Sequence, residues 1–318
     1  MVTPFKGKNM GQIDHAALRK LTNFLIDGGV HALMVHGTSG EFLMQDREER
    51  KSAIATVVSE TKKRVPVIAG ISDASTKNAV ALGKDAAEAG ADAVISTGPI
   101  YYKTNDEGLY NHFQGIIDNI DLPLMIYNIP KWVGYDVPKE TINKLIDKNP
   151  GRLVGVKFTT NDLAQFYEYF RLLGKKTAMM MGADLLIFSA LELGAAGAVV
   201  GGANVLPRED SDIYENIVRG DGEAARKAQE KTAGFAEKMT LGTYPAALKE
   251  ALRFLGLDCG EVRPPLEPLT AKQAAEVNRT IQWKKEETAK RGTSVSSRRQ
   301  KNSTSLHASL RESKRLAH

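Results

Sequence analysis

A lysine closes a run that is otherwise apolar, Leu153-Val154-Gly155-Val156-Lys157, and a second apolar run ends in Tyr127. An ammonium group is expensive to strip of water, so such a lysine either snorkels at the mouth of a core or is kept for chemistry. In a hydrophobic pocket the charged form loses part of its advantage, and a neutral amine is a nucleophile towards a carbonyl. The protonated imine is an electron sink that stabilises a carbanion or enamine beside it. That intermediate needs a proton shuttle, which the Tyr127 phenol can supply if a hydroxyl such as Thr38 extends the relay. A 2-oxo acid substrate also needs a cradle for its carboxylate. The backbone N–H groups of the turn Gly37-Thr38-Ser39-Gly40, ahead of a helix, could provide it.

The elements that must carry these residues are legible as a repeat. Short β-rich apolar runs cover residues 32–36, 66–70, 91–96, 122–127, 153–158, 178–182 and 197–201, their starts roughly 20 to 35 residues apart, the length of a β-α unit. Between them lie stretches with helical periodicity, such as 46–60 and 76–89, the second closed by Gly90. Strands with few polar positions, alternating with helices, predict a parallel sheet covered on its outer face. Seven units without GxGxxG after the first strand favour an α/β (β/α)8 TIM barrel over a doubly wound sheet. Only MVTPF is available for the remaining strand, the first in the chain. Beyond Pro207 the pattern is wholly helical, over 221–239, 245–255 and 271–285. The expected division is a barrel over 1–206, a C-terminal helical extension over 207–283 and a basic disordered tail over 284–318.

Composition excludes several other classes. No apolar run approaches the roughly 18 residues of a membrane span. The N-terminus lacks a signal-peptide pattern, and a single cysteine, Cys259, excludes an intramolecular disulfide or a cysteine-built metal site. A protein of a reducing compartment, the cytoplasm, fits best. The histidines at 15, 31, 36 and 112 are scattered, there is no P-loop, and no cofactor or metal is expected. The pI of about 9.0 is a local effect: residues 284–318 hold ten Lys or Arg against three Glu, so a chain of net charge +5 leaves about −2 for the rest. A Ser-rich basic tail of this kind reads as disordered, and nucleic acid is an unexpected partner.

In barrels of this kind the site lies at the carboxyl ends of the strands. The segments found there, GTSGE (37–41), YYKTNDEGLY (101–110), YNIP (127–130), GVKFTTND (155–162) and GAAGAVVGGANVLP (194–207), resemble the dihydrodipicolinate synthase and N-acetylneuraminate lyase family, which includes the 2-keto-3-deoxy sugar acid aldolases. The resemblance covers about residues 1–283 in order. It implies a barrel, usually a homotetramer built as a dimer of dimers, that forms a Schiff base with pyruvate. Lys157 matches the imine-forming lysine and Tyr127 the general acid/base. Thr38 and Ser39 match the pair that binds the pyruvate carboxylate and relays protons, and Tyr101 a tyrosine donated across the dimer interface. Thr159, Asp184 and Val199 are the further expected substrate contacts.

The branch is read from departures. Where dihydrodipicolinate synthases carry an arginine after YNxP, this chain has Trp132, with Lys131 beside it. An indole cannot replace a bidentate guanidinium for a carboxylate. Thr159 and the Gly182-Ala183-Asp184 pattern are closer to the sugar-acid aldolases, and the glutamate of sialic acid lyases is missing after Asp184. The expectation is therefore an aldolase that reversibly cleaves a 2-keto-3-deoxy sugar acid. The alternatives are dihydrodipicolinate synthase, N-acetylneuraminate lyase, and a barrel that binds ligand without chemistry. Each residue also has a plainer reading: Thr38 and Ser39 as helix caps, Tyr127 as a core tyrosine, Tyr101 and Tyr102 as interface aromatics, Trp132 as packing and His36 as a structural histidine.

Overall fold

In the computed structural model, which describes residues 1–7 and 11–287, the seven apolar runs become one parallel sheet. A short antiparallel hairpin comes first, β1 (Phe5–Lys6) against β2 (Gln12–Ile13). The sheet then takes β3 (Leu33–Val35), β4 (Val67–Gly70), β5 (Ala93–Ser96), β6 (Leu124–Asn128), β7 (Leu153–Phe158), β8 (Ala178–Met181) and β9 (Gly197–Ala198) in chain order. Every neighbouring pair is parallel, as right-handed β-α crossovers require. Helices α1 (His15–Asp27), α2 (Arg47–Thr61), α3 (Thr76–Glu88), α4 (Asp106–Asn119), α5 (Pro130–Val133), α6 (Lys139–Lys148), α7 (Leu163–Leu173) and α8 (Ile187–Glu192) fall between the strands. They are followed by α9 (Pro207–Val218), α10 (Gly222–Lys238), α11 (Ala246–Phe254) and α12 (Ala271–Thr280). The result is a TIM-barrel-like α/β fold with a C-terminal helical extension.

The first barrel strand departs from the expectation. Residues 1–4 form no strand, and Phe5–Lys6 turns away to pair with β2. Pro4 has no N–H to give to a ladder. The donors ahead of it find other acceptors: the Met1 amino group donates to the Met34 carbonyl (2.6 Å), the Val2 amide to Asn204 Oδ1 (2.8 Å) and the Thr3 hydroxyl to the Gly40 carbonyl (2.8 Å). The segment therefore lies between β3 and the turn after β9, and the described sheet has seven strands with β3 and β9 at its edges.

Alternation along the strands sorts the core into two layers. On β7, Val156 and Phe158 face outward and join the large cluster beneath the helices, where Phe113, Ile116 and Phe166 are also fully buried. Gly155 and Lys157 face inward; the Cα partners of Lys157 are Tyr127 on β6 and Met180 on β8. The inner layer is a small apolar cluster of Met34, Ile95, Met125, Tyr127 and Ile129, with Met180 and Val199 packed on it. Side-chain caps fix where the strand-end loops stop. Asp46 accepts from Glu49 N in a capping box at α2, and Asp162 accepts from Gln165 N at α7. Such caps contribute about 1 kcal/mol each. Residue Lys284, the first of the expected tail, still pairs with Glu209 (2.5 Å), and Glu287 with Lys231 (3.1 Å). From residue 288 on, the tail lies outside the described residues.

One ionic cluster ties the extension to the first strand-end loop. Glu41, left-handed at φ 54, is buried and pairs with the buried Lys249 of α11 (2.7 Å). Its other oxygen accepts from the Arg263 amide (2.9 Å), and the Phe5 ring lies between the Lys249 and Arg263 cations at 4.2 and 4.1 Å. Removing one partner of a buried pair strands the other charge, which costs about 3–5 kcal/mol. Lys249→Met should lower unfolding free energy by about that much in urea denaturation. The double variant with Glu41→Gln should regain most of it; a single-variant loss below about 1 kcal/mol would contradict the role given to this pair.

Candidate active site

The turn after β3 begins at His36, whose φ of 60 bends the chain out of the sheet. Its ring is buried and Nε2 donates to the Arg50 carbonyl (2.9 Å). Burial, with the Arg50 guanidinium nearby, drops its pKa to about 3, so it stays neutral and structural. Residues Thr38–Gly40 and Phe42–Met44 form two short 3-10 turns, and α2 starts only after Asp46. Thr38 and Ser39 therefore do not cap α2; Asp46 does. The first N–H groups of a helical turn have no acceptor within it, which leaves the 37–40 turn suited to a carboxylate.

Seven of the eight expected site residues converge on one cavity of about 690 Å³: Thr38, Ser39, Tyr127, Lys157, Thr159, Asp184 and Val199. Its lining includes Lys131 and Trp132 at the strand ends and continues along β3 and β9 as far as Ala32 and Tyr214. Lys157 is 7% exposed. Its Nζ lies 3.8 Å from the Met34 sulfur and 4.1 Å from the centre of the Tyr127 ring. The Tyr127 hydroxyl, in turn, is 3.4 Å from Thr38 Oγ1. An amine, a phenol and a threonine hydroxyl thus follow one another along the wall, an arrangement able to form an imine and move a proton beside it.

Sheet pairing continues past the strand ends and places the next group. The Thr159 amide donates to the Asn128 carbonyl (2.9 Å), and the Gly182 amide to the Phe158 carbonyl (2.8 Å). A side chain at Gly182 would collide with Thr159 Oγ1, at 2.0 Å from an added Cβ, so glycine there is what lets the threonine turn into the cavity wall. The Thr159 hydroxyl is buried and makes no hydrogen bond among the described residues. Asp184 is buried, with Oδ1 accepting from the Gly202 amide at 2.5 Å. Burial raises its carboxyl to about 6, against the pull of the Gly202 and Gly201 amides and of the Lys157 charge. Asp210, which borders the same side of Gly202, is pushed well above the ordinary range by burial and by Asp184.

Tyr101 is the exception. It is 85% exposed, left-handed at φ 77, stacked edge-on with Tyr102, and absent from the cavity lining. The cavity also holds a residue the sequence reading did not single out. Tyr244, from the loop between α10 and α11, sets its hydroxyl 2.5 Å from Ser39 Oγ and its ring centre 6.0 Å from that of Trp132. No strand-end position marks it; its only signal in the sequence is an aromatic beside proline just ahead of a helix. Among the described residues no group of three or more His, Cys, Asp or Glu is placed to hold a metal, and no helix is long and apolar enough to cross a membrane.

With this geometry in place, the comparisons with known proteins decide the class. The model of the dihydrodipicolinate synthetase family matches residues 1–284. The chain belongs to that family. It is similar to the 4-hydroxy-tetrahydrodipicolinate synthase of Pelobacter propionicus, 33% identical over 85% of this chain and 91% of that protein. Among solved structures, that of the corresponding synthase from Methylacidiphilum fumariolicum superposes with a TM-score of 0.85 at 30% identity, covering 91% of this chain and 95% of the other. YagE, an E. coli prophage protein of the family solved in complex with pyruvate, superposes at 0.84 with 26% identity, over 89% and 95% of the two chains. Family members are carbon–carbon lyases that work through a lysine–pyruvate Schiff base without an external cofactor.

A raised carboxyl favours the folded state only while it is protonated. The contribution of Asp184 is complete below its unfolded value of 3.8 and is lost as pH rises through about 6. Asp184→Asn lacks this loss, so its melting temperature relative to the parent should climb between pH 4 and pH 7; a difference that stays flat over that range would contradict the assigned shift.

Proposed function

We propose that this enzyme is a pyruvate-dependent class I aldolase that reversibly cleaves a 2-keto-3-deoxy sugar acid to pyruvate and an aldehyde. In this reading the Lys157 amine adds to the C2 carbonyl and expels water, forming a protonated imine. Tyr127, relayed through Thr38, takes the proton of the C4 hydroxyl. The C3–C4 bond breaks, its electrons pass into the imine as an enamine, and the aldehyde departs. The same relay returns a proton to C3, and hydrolysis frees pyruvate and the amine. Thr38, Ser39 and the turn they head hold the C1 carboxylate, Thr159 and Asp184 meet the hydroxyls of the sugar tail, and Val199 forms part of the apolar wall. The reading includes a cytoplasmic homotetramer in which Tyr101, exposed with Tyr102, reaches the neighbouring chain's relay.

The observation that carries the choice of substrate is the buried, unpartnered Thr159 hydroxyl on a cavity wall that contains no arginine among the described residues. An unpaired buried hydroxyl costs about 1–3 kcal/mol until a ligand satisfies it, and a substrate hydroxyl would do so. A substrate with a second carboxylate would find no guanidinium fork at this mouth, where Trp132 stands 55% exposed. A second reading, 4-hydroxy-tetrahydrodipicolinate synthase, draws support from the names of the relatives and from Lys131 on the same wall.

Pyruvate release from a panel of 2-keto-3-deoxy sugar acids and sialic acid, run beside condensation of pyruvate with aspartate semialdehyde, separates the two. Sugar acids should be turned over with the highest kcat/KM; turnover of the semialdehyde alone would overturn the choice. Trp132→Arg should gain on the semialdehyde by roughly 10-fold or more, since a charge-assisted hydrogen bond is worth about 1.5–3 kcal/mol.

A further inference from the structure

We infer that Tyr244 is a positioning residue for Ser39: its phenol donates to Ser39 Oγ and thereby turns the serine's own proton into the Lys157 cavity, towards the carboxylate of a bound 2-oxo acid. The inference rests on the reading that this cavity takes a 2-oxo acid.

Two hydroxyls at 2.5 Å share one hydrogen bond, and either can be the donor. What breaks the symmetry is the third member of the chain. A carboxylate only accepts, so a carboxylate beside Ser39 requires the serine to donate, and the serine oxygen is then free to accept from the phenol. Chains of this kind polarise one another in a site shielded from water. Burial also raises the Tyr244 phenol above its ordinary value, so it remains a donor at neutral pH.

The pair is held from both sides. The Tyr244 hydroxyl packs against Gly201, where an added Cβ would lie 2.7 Å from it, and its ring rests near Trp132. Behind it, α11 carries Lys249, whose ion pair with Glu41 fixes the residue that ends the Thr38–Gly40 turn. One buried ion pair therefore ties the turn that bears Ser39 to the helix that follows Tyr244. A residue from the C-terminal extension completes the hydroxyl set of the cavity within a single chain.

The test uses borohydride trapping of the imine as a function of pyruvate concentration, with Tyr244→Phe, Ser39→Ala and the double variant, each checked by thermal melting. Tyr244→Phe keeps the ring and removes the oxygen alone. It should raise the half-saturating pyruvate concentration roughly 10-fold, the equivalent of about 1.4 kcal/mol, with the limiting trapping rate within about 3-fold of the parent. In the Ser39→Ala background the same change should add little, because its target is gone. Unchanged half-saturation in Tyr244→Phe would overturn the inference. So would additive effects in the double variant, or a loss confined to the limiting rate and melting temperature. Absence of trapping in the unaltered protein would overturn the aldolase reading and this inference with it, an outcome distinct from normal trapping by a Tyr244→Phe protein that saturates like the parent.

Discussion

An amine that is to react as a nucleophile out of water, unlike the paired Lys249, must be kept from both an ion-pair partner and solvent, and the architecture around Lys157 follows from that constraint. The inner face of β7 supplies the position, because Val156 and Phe158 turn to the helix-covered side while Gly155 and Lys157 turn inward. The amine lies against a thioether sulfur and the face of an aromatic ring, both soft and apolar. Ring faces attract the ammonium form modestly, by roughly 0.5–2 kcal/mol, and offer no acceptor lone pair in return. The hydroxyls that could serve a reaction follow from there: Tyr127 on β6 carries the first, and Thr38 and Ser39 carry the next on the loop after β3.

The loop after β3 is tied down by contacts that lie far from the amine. The turn bearing Thr38 and Ser39 is clamped through Glu41 to Lys249 and Arg263, residues of the C-terminal extension. The same extension delivers Tyr244 to Ser39. The helices beyond the barrel are thus part of the site's scaffold.

Much of this was legible in the sequence because the repeat of apolar runs is strong and barrel sites lie at the carboxyl ends of the strands. The expected strands at 153–158 and 178–182 differ from the observed ones by at most a residue, and Lys157 and Tyr127 emerge as direct Cα partners. The rest was hidden by distance in the chain. Ser39 and Tyr244 are 205 positions apart, and nothing in local pattern links a loop after α10 to the first strand end. The capping role of Asp46 was ambiguous against Thr38 and Ser39 because all three are good caps, and only the two intervening 3-10 turns separate them. The first strand was read from the need to close a barrel, whereas Pro4 and competing side-chain acceptors drew those residues elsewhere.

The central claim is that an imine at Lys157 acidifies the carbon beside it and that Tyr127 moves the proton. It is tested most directly by following the methyl protons of pyruvate by NMR in deuterated buffer, with no aldehyde present. The unaltered protein should wash deuterium into the methyl group far faster than buffer, Lys157→Ala should not, and Tyr127→Phe should slow the exchange by about 10²–10⁴. Exchange no faster than buffer in the unaltered protein, or undiminished exchange in Lys157→Ala, would contradict the account.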